Sequence, residues 1–237
     1  DLLLEHDAGN TCKSSTEHQS PRTTGTASVT CLHGNTALHY AVLAKAANNV
    51  VERLLIAYPE ANSVANIDGE LPIHVAAAQQ NTPLSVLTQL TLGHPAASKT
   101  TNRLGQLPLH LALRAKASVH VIKELLAWNC SGVHVKDERG WTALHFACEN
   151  EAPVAVISLL LEAASLNDMN NVDNDVTQAD NDVNGVDDAS FRTLTGTNTW
   201  KTNNGTTPLH LACRYGSSIA VLKLLVETFP ASVHLLD

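Results

Sequence analysis

Aromatic residues are scarce in this sequence: they make up 4% of the chain, whereas the hydrophobic residues as a group make up 44%. A core must therefore be built from Ala, Leu, Val and Ile, which suits closely packed helices. Basic residues are also few, with 15 Lys and Arg against 23 Asp and Glu and a formal net charge of -8. Because phosphate binding draws on clustered Lys and Arg, this balance argues against nucleic acid as a main partner.

Long apolar runs and closely spaced cysteines are missing as well. No apolar stretch approaches the roughly 20 residues of a membrane helix, so we expect no membrane span in this chain. The cysteines, five in number, lack the regular spacing of a secreted disulfide scaffold. We therefore expect a reducing, intracellular location, either cytoplasmic or nuclear.

One phrase of nine residues occurs five times along the chain. It reads GNTALHYAV from Gly34, GELPIHVAA from Gly69, GQLPLHLAL from Gly105, GWTALHFAC from Gly140 and GTTPLHLAC from Gly205. A second apolar segment with the i, i+3, i+4 spacing of an amphipathic helix follows each phrase. Each unit therefore predicts a Gly turn, a short helix, a turn, a longer helix and a polar extended link. Because one helix pair cannot close a core, the units must stack on one another.

The phrase resembles the signature of the ankyrin repeat, G-x-T-P-L-H-x-A, and five copies in register make the resemblance specific. It implies an all-α fold, a helical solenoid with short hairpin-like links. The period is 35 to 36 residues, whereas the family has about 33, so we expect longer turns. Leu71 and Leu107 replace the Thr that caps the first helix, and this loss of a side-chain acceptor costs about 1 kcal/mol per helix.

Two stretches of biased composition interrupt the repeats. We assign residues 1–33 to the end of a preceding repeat plus a Ser/Thr-rich insertion and residues 34–162 to repeats 1–4. Residues 163–204 form an acidic Asn/Asp-rich insertion, and residues 205–237 form repeat 5. Neither insertion can bury enough apolar surface to fold alone, so we expect both to be flexible or disordered. The array is expected to continue beyond this chain.

Five histidines recur once per repeat, at the same position of the phrase. They are His39, His74, His110, His145 and His210. Zinc holds nitrogen ligands at about 2.0–2.1 Å, but packed helices lie about 8–10 Å apart, so histidines of successive repeats cannot share one ion. The resemblance implies instead a structural role, in which each histidine ties its helix to neighbouring backbone.

Two cysteines also suggest chemistry at first sight. Cys148 and Cys213 each follow a signature histidine by three positions, as in a Cys/His nucleophile pair. However, Val42, Ala77 and Leu113 occupy the same position in the other repeats. A position that accepts these side chains is a packing position, so we interpret both cysteines as small hydrophobic residues.

A half-matching calcium loop lies in the acidic insertion. The segment DNDVNG from Asp180 to Gly185 supplies oxygens at positions 1, 3 and 5 and Gly at position 6, but position 12 would be Phe191 instead of Glu. Calcium binding therefore remains a weaker alternative. Because the sequence has no nucleotide loop, nucleophile elbow or paired carboxylates in a recognisable fold, we expect no enzyme, no cofactor, and no catalytic or metal-binding residues.

The resemblance implies where a partner would bind. An ankyrin-like stack presents an extended concave surface formed by the link tips and the exposed side of the inner helices. We expect a protein partner there, with this chain a monomer or part of a larger chain. The residues predicted to contact the partner are those that vary between repeats at these places. They are Asn35, Glu70, Arg103, Gln106, Arg139, Trp141, Glu149, Trp200, Lys201, Arg214 and Tyr215.

Two interpretations of the tryptophans stay open, because aromatic residues and Arg dominate binding hot spots but also fill cores. Trp141 and Trp200 would lie close together at the tips of repeats 4 and 5; alternatively, Trp141 covers its own link and Trp200 anchors the insertion. The leading hypothesis is a non-catalytic protein-protein interaction module. The alternatives are a regulatory or targeting ankyrin domain of a larger enzyme or channel and, more weakly, a calcium-responsive insertion.

Overall fold

Alternating short and long helices account for most of the described part of the chain. The computed structural model describes residues 29–171 and 200–230. It describes side chains for residues 29–166 and 200–230. The helices are α1 (Ala37–Leu43), α2 (Asn48–Ala57), α3 (Pro72–Ala77), α4 (Leu84–Gly93), α5 (Pro108–Arg114), α6 (Val119–Trp128), α7 (Ala143–Glu149), α8 (Val154–Asn171), α9 (Pro208–Arg214) and α10 (Ile219–Thr228). Short 3₁₀ turns at Pro59–Ser63, Pro95–Lys99 and Cys130–Val133 follow α2, α4 and α6. No strand occurs within these ranges, and the predicted all-α class is confirmed.

The helices stack as five pairs in a line. Each short inner helix contacts its own outer helix and the inner helix of the next repeat, so that α1, α3, α5, α7 and α9 form one continuous row. Contacts between α2 and α4, between α6 and α8, and between α8 and α10 join the outer helices in the same order. The molecule is therefore the helical solenoid that the repeated phrase predicted.

One aliphatic residue of each phrase lies between successive inner helices. Leu38, Ile73, Leu109 and Leu144 are 1%, 0%, 4% and 1% exposed. Leu209, the fifth member, is only half-buried. Within the described residues no repeat follows its helix α9, whereas a following inner helix covers each of the other four residues. The row confirms the register of the repeats and shows that each one covers the apolar face of its neighbour.

The helix starts of repeats 2 and 3 lack a side-chain cap, as predicted. Thr36 and Thr207 accept a hydrogen bond from the backbone N–H three residues later, whereas Leu71 and Leu107 have no side-chain acceptor. The sequence did not reveal that both Leu side chains are buried, at 4% and 1% exposure. Burial of a Leu side chain contributes about 1.5–3 kcal/mol, which offsets the lost cap.

The links between helix pairs are fixed by side-chain and backbone hydrogen bonds. In repeat 3, Asn102 Oδ1 accepts from the N–H groups of Leu104 and Gln106, at 3.0 and 2.9 Å. Asn66 and Asp137 make the same pair of bonds in the neighbouring links. Each link also donates one backbone N–H to the link before it, as in Glu138 N–H to the Leu104 carbonyl at 3.0 Å. The links therefore form a regular, ordered edge.

The signature glycines are required by this close stacking of links. Gly140 has a φ of 78°, and a Cβ added there would lie 2.7 Å from the backbone nitrogen of Asn203 in the next link. Gly205 has a φ of 83°, but a Cβ there would meet nothing within 4 Å. Only the φ angle demands glycine at Gly205, whereas Gly140 also needs the space.

The predicted boundaries of the acidic insertion need correction. We predicted that it begins at residue 163, but α8 continues to Asn171. Ala163 and Ala164 are 9% and 0% exposed, because they extend the apolar face of this helix. At the other end, residues 201–204 already belong to the link of repeat 5, in which the Thr202 N–H bonds to the Thr206 carbonyl.

Three stretches lie outside the described residues: 1–28, 172–199 and 231–237. The half-matching calcium loop at Asp180–Gly185 falls in the second of them, as does most of the acidic insertion. The preceding partial repeat and most of the Ser/Thr-rich insertion fall in the first.

The turn between the two helices of each repeat contains a residue in the left-handed region. Lys45, Lys116 and Glu151 have φ angles of 52°, 54° and 53°, whereas repeat 5 places Gly216 there, with a φ of 73°. In repeat 2, whose signature glycine lies 36 residues before the next one, the outer helix begins 15 residues after Gly69, whereas in repeat 1 it begins 14 residues after Gly34. The extra residue of the 36-residue spacing therefore lies in this turn.

Replacement of Leu109 by Ala tests the stacking. We expect Leu109→Ala to lower the free energy of unfolding by about 2–5 kcal/mol, because it leaves a cavity between packed helices. Leu92→Ala on α4 is the control, since Leu92 is 76% exposed. It should change the free energy by less than about 0.5 kcal/mol. Urea unfolding followed by circular dichroism measures both, and equal effects would mean that the repeats are misregistered.

Replacement of Lys116 by Gly tests the strain of the inter-helix turn. A residue with a Cβ pays about 1–2 kcal/mol in the left-handed region, so we expect Lys116→Gly to raise the free energy of unfolding by about 0.5–1 kcal/mol. Lys123→Gly, inside α6, should lower it by about 1 kcal/mol. Both values come from urea unfolding curves, and a loss of stability in Lys116→Gly would contradict the strain.

Candidate protein-binding surface

The link tips and the ends of the inner helices together form what we call the link surface. It comprises the links at residues 30–35, 65–70, 101–106, 136–141 and 201–206 and the inner-helix ends at 43–45, 78–80, 114–116, 149–151 and 214–216. Most residues of the inner-helix ends are exposed, whereas the middle of α3, α5 and α7 is largely buried. The surface therefore presents the positions at which the repeats differ in sequence.

The recurrent histidines are part of the frame beneath this surface. In all five repeats the histidine Nδ1 accepts a hydrogen bond from the backbone N–H three residues earlier, at 3.1 Å. In three repeats Nε2 bonds to a carbonyl beyond the repeat's own helices: His39 to Glu70, His74 to Thr100 and His145 to Thr206, at 3.0, 3.0 and 3.2 Å. Since Nδ1 accepts, Nε2 carries the proton and donates. The rings thus have the structural role that the resemblance implied.

Burial favours the neutral form of four of these rings, those of His39, His74, His110 and His145. It lowers the pKa of His74, His110 and His145 to about 4, and it lowers the pKa of His39 too. His110 stacks on Phe146 with ring centroids 5.2 Å apart, while its Nε2 makes no hydrogen bond of good geometry. A proton added at Nδ1 would face the backbone N–H that now donates to it. The histidines therefore support the links and are unsuited to acid-base work at neutral pH.

The two cysteines that follow signature histidines differ. Cys148 is 1% exposed, and burial raises the pKa of its thiol to about 12, which rules out a reactive thiolate at neutral pH. Cys213 is exposed, contrary to our interpretation of it as a packed residue. Its position faces the next repeat, and no described helix covers that side of α9. Within the described ranges, no group of three His, Cys, Asp or Glu residues is placed to hold a metal ion.

A hydrogen-bonded network joins the inner-helix end of repeat 3 to the link of repeat 4. Arg114 Nη1 donates to Gln106 Oε1 at 3.5 Å, and Gln106 Nε2 donates to Asp137 Oδ2 at 3.4 Å. Arg139 Nε donates to the same carboxylate oxygen at 3.3 Å. The Arg139 side chain is 55% exposed and that of Asp137 only 1%. The carboxylate is thus the buried anchor, and the guanidinium group of Arg139 stays accessible.

Trp141 belongs to the same cluster and is half-buried. The Arg139 guanidinium carbon lies 4.3 Å from the centroid of its ring, and Phe146 packs edge-on with centroids 5.4 Å apart. Trp141 therefore covers the core of its own repeat and at the same time exposes part of its ring beside a cation. The two interpretations of this residue are compatible in this geometry.

Glu149 completes the charged part of the cluster, at the end of α7. Partial burial raises the pKa of its carboxyl group, while the nearby positive charges of Arg139 and Arg114 lower it. The acid is half-buried, whereas both arginines are exposed. Acidic groups thus lie low in the cluster and basic groups lie outermost.

Other predicted contact residues occupy different settings. Gln106 is only 2% exposed and acts as a bridge inside the network. Asn35 lies at the other end of the stack, where its Oδ1 accepts from Asn66 at 3.1 Å. Glu70 and Lys201 are half-buried in their links. Arg103 is exposed on its link, and Arg214 and Tyr215 are exposed together, with the Arg214 guanidinium carbon 5.9 Å from the Tyr215 ring.

Trp200 is not a surface residue, and our prediction that it contacts a partner needs correction. It is 5% exposed and packs on His134 and Phe229, with ring centroids 5.3 and 5.4 Å away. Its aromatic neighbours are therefore a residue before the link of repeat 4 and a residue after α10, and Trp141 is not among them. Trp200 fills the core where the chain re-enters the stack.

Two residues that matter to the surface were missed from the sequence. Asp137 organises the network, and its signal in the sequence was a polar residue three positions before four of the five signature glycines, as in Asn66 and Asn102. Lys116 is exposed beside Arg114. Its only signal in the sequence was its position directly after Arg114 and Ala115, a pair of residues that differs between repeats.

The stacked helix pairs and their polar, ordered link edge define a helical repeat solenoid. Sequence profiles of the ankyrin repeat match most of the chain: three copies over residues 73–173, many copies over 25–76 and a single repeat over 204–237. The chain belongs to the ankyrin repeat family, whose repeats are generally non-catalytic protein-protein interaction modules. No similar sequence was found among the curated proteins. In the described part of the chain, no helix has both the length and the apolar character that crossing a membrane requires.

The buried histidines predict a loss of stability in mild acid. Their pKa in the folded state is about 4 for His74, His110 and His145, below the usual value of 6.5, so the unfolded chain binds more protons between these values. Their contribution is therefore complete above pH 6.5 and falls as the pH drops towards 4, by about 1.4 kcal/mol per pH unit for each proton taken up. Urea midpoints at pH 7.5, 6.5, 5.5 and 4.5 measure this slope.

Two variants separate the histidine contribution from that of carboxyl groups. His110→Gln should reduce the slope between pH 6.5 and 4.5, because one buried titrating ring is removed. His120→Gln, at an exposed position of α6, should leave the slope unchanged. Identical slopes in the parent and in His110→Gln would contradict the assignment.

Proposed function

We propose that this chain binds a partner protein through its link surface, centred on repeats 3 and 4, and that it carries out no chemistry of its own. The observation that carries the proposal is the network of Arg114, Gln106, Asp137 and Arg139 beside Trp141. It presents two exposed guanidinium groups and a partly exposed indole ring on a packed frame. Arg and Trp are the residue types most enriched in binding hot spots.

Preorganisation supports this choice of surface. Arg139 is held by Asp137 on one side and by the Trp141 ring on the other, at 3.3 and 4.3 Å, yet its side chain is 55% exposed. A side chain that is already ordered loses little conformational entropy when a partner binds. The cluster can therefore contribute more to affinity than mobile side chains of the same type.

The location of the network supports the proposal as well. Its members come from two adjacent repeats, and each lies on a link or helix end that is fixed by backbone hydrogen bonds. Binding residues on loops are effective when a rigid scaffold positions them. An intracellular site of action is part of the proposal, and the free thiols of Cys31, Cys130, Cys148 and Cys213 support it.

Quantitative affinity capture with paired variants tests the function. The intact chain serves as bait, and we expect Arg114→Ala/Arg139→Ala to reduce recovery of the bound protein at least tenfold. Arg53→Ala/Lys123→Ala removes the same charge from exposed positions of α2 and α6 and should change recovery less than twofold. Circular dichroism confirms that both variants are folded. Equal losses in the two variants, or none in either, would place binding elsewhere.

Trp141→Ala separates the two roles of the indole ring. Loss of its packing on Phe146 should lower the thermal midpoint, and loss of its exposed face should weaken partner binding at temperatures where the variant is folded. Thermal unfolding and capture at 10 °C below the variant's midpoint measure the two effects. Lower thermal stability with unchanged affinity would assign Trp141 to the core alone.

A further inference from the structure

The link surface of repeats 3 to 5 is basic, although the chain as a whole is acidic. Its basic residues are Arg103, Arg114, Lys116, Lys136, Arg139, Lys201 and Arg214. Its acidic residues are Asp137, Glu138, Glu149 and Glu151. The outer helices, in contrast, carry more acids than bases within the described residues. The two sides of the solenoid therefore differ in charge.

Exposure increases this asymmetry. Arg103, Arg114, Lys116, Arg139 and Arg214 are all exposed. Among the acids, Asp137 is buried and bonded to Arg139, and Glu149 is half-buried with its pKa raised by burial. Only Glu138 and Glu151 are exposed acids, so the exposed basic groups of this surface outnumber the exposed acidic groups. Arg139 uses its Nε for Asp137, so its terminal nitrogens remain for an external acceptor.

The spacing of the basic groups suits an extended chain. Arg114 and Arg214 end inner helices that lie on either side of α7, and Arg139 lies on the link before α7. Packed helices are about 8–10 Å apart, and an extended peptide in the polyproline II conformation advances about 3.1 Å per residue and places every third side chain on the same face. Every third side chain of such a peptide would therefore reach the next repeat.

An apolar contact lies between these basic groups. Trp141 is half-buried beneath Arg139, and Tyr215 is 39% exposed beside Arg214. A peptide with acids alone would leave these rings uncovered, whereas one apolar side chain among the acids would pack on them. The surface thus combines charge with a local apolar element.

We propose that the link surface of repeats 3 to 5 binds an extended acidic segment of the partner protein. Carboxylates at about every third position contact Arg114, Arg139 and Arg214, and an apolar side chain between them packs on Trp141. This inference rests on the proposed function and adds the chemistry of the partner. A nucleic acid is disfavoured, because Glu138, Glu149 and Glu151 interrupt the positive surface that a continuous phosphate backbone needs.

Designed peptides test the charge preference. The probe is a fluorescein-labelled peptide of twelve residues with Glu at every third position and one central Leu, and its control has Gln in place of each Glu. Fluorescence anisotropy at 50 and 150 mM NaCl should give a dissociation constant at least tenfold lower for the Glu peptide. Equal binding of the two peptides, no saturable binding, or stronger binding of an oligothymidine would overturn the inference.

Matched triple variants test the location. Arg114→Gln/Arg139→Gln/Arg214→Gln should raise the dissociation constant for the Glu peptide at least tenfold. Arg53→Gln/Lys123→Gln/Lys223→Gln makes the same change of charge on exposed positions of the outer helices and should alter it less than twofold. Circular dichroism controls for folding. An equal loss in both variants would mean attraction by overall charge and would overturn the assigned surface.

Lys116→Gly separates binding from stability. Relief of the strain at the left-handed φ of 54° should raise the urea midpoint. Removal of the ammonium group should raise the dissociation constant of the Glu peptide two- to fivefold. A general loss of structure would lower both the urea midpoint and the affinity, so a higher midpoint with a lower affinity identifies a direct contribution to binding. Unchanged peptide affinity in the stabilised variant would exclude Lys116 from the site.

Capture of the natural partner distinguishes this inference from the proposed function. If Arg114→Gln/Arg139→Gln/Arg214→Gln no longer captures the partner but the Glu peptide does not bind the parent chain, the acidic preference is wrong and the proposed function stands. If the same variant still captures the partner, both the acidic preference and the proposed function are wrong.

Discussion

Every other feature of this molecule depends on the burial of one apolar face of each inner helix by the next helix pair. The row of Leu38, Ile73, Leu109 and Leu144 is almost fully buried because a following repeat covers each residue. The last described repeat has no described repeat after it, and there Leu209 is half-buried and Cys213 is exposed. A single repeat is therefore not a folding unit, and stability is shared along the line.

The polar parts of the repeat serve the same stacking. The histidine rings accept a hydrogen bond within their own repeat, and several donate to the carbonyl of the next link, so they join neighbours at the level of the backbone. The signature glycines allow the links to approach each other closely, as at Gly140. Side chains that are not needed for stacking are left to point outward. The link surface can thus vary from repeat to repeat without a cost in the core.

Charge is distributed in the same layered way. The buried Asp137 carboxylate bonds to Arg139, and the half-buried Glu149 lies near the charges of Arg139 and Arg114, while both arginines remain accessible. The acid excess of the whole chain lies in sequence segments outside the described residues, whereas the described link surface of repeats 3 to 5 has more bases than acids. A net charge of -8 therefore says little about the surface that a partner meets.

The sequence by itself determined the five repeats and their helix pairs, because these are local patterns repeated in register, and its resemblance to the ankyrin repeat implied the structural role of the histidines. Only the tertiary structure decided that Trp200 is buried, that Cys213 is exposed, that α8 extends to Asn171 and that Asp137 bonds to Arg139 directly and to Arg114 through Gln106. The reason is that burial and pairing here depend on residues about one repeat or more away. Their approach is set by turn conformation and by the presence of a neighbouring repeat, which a pattern within one repeat does not contain.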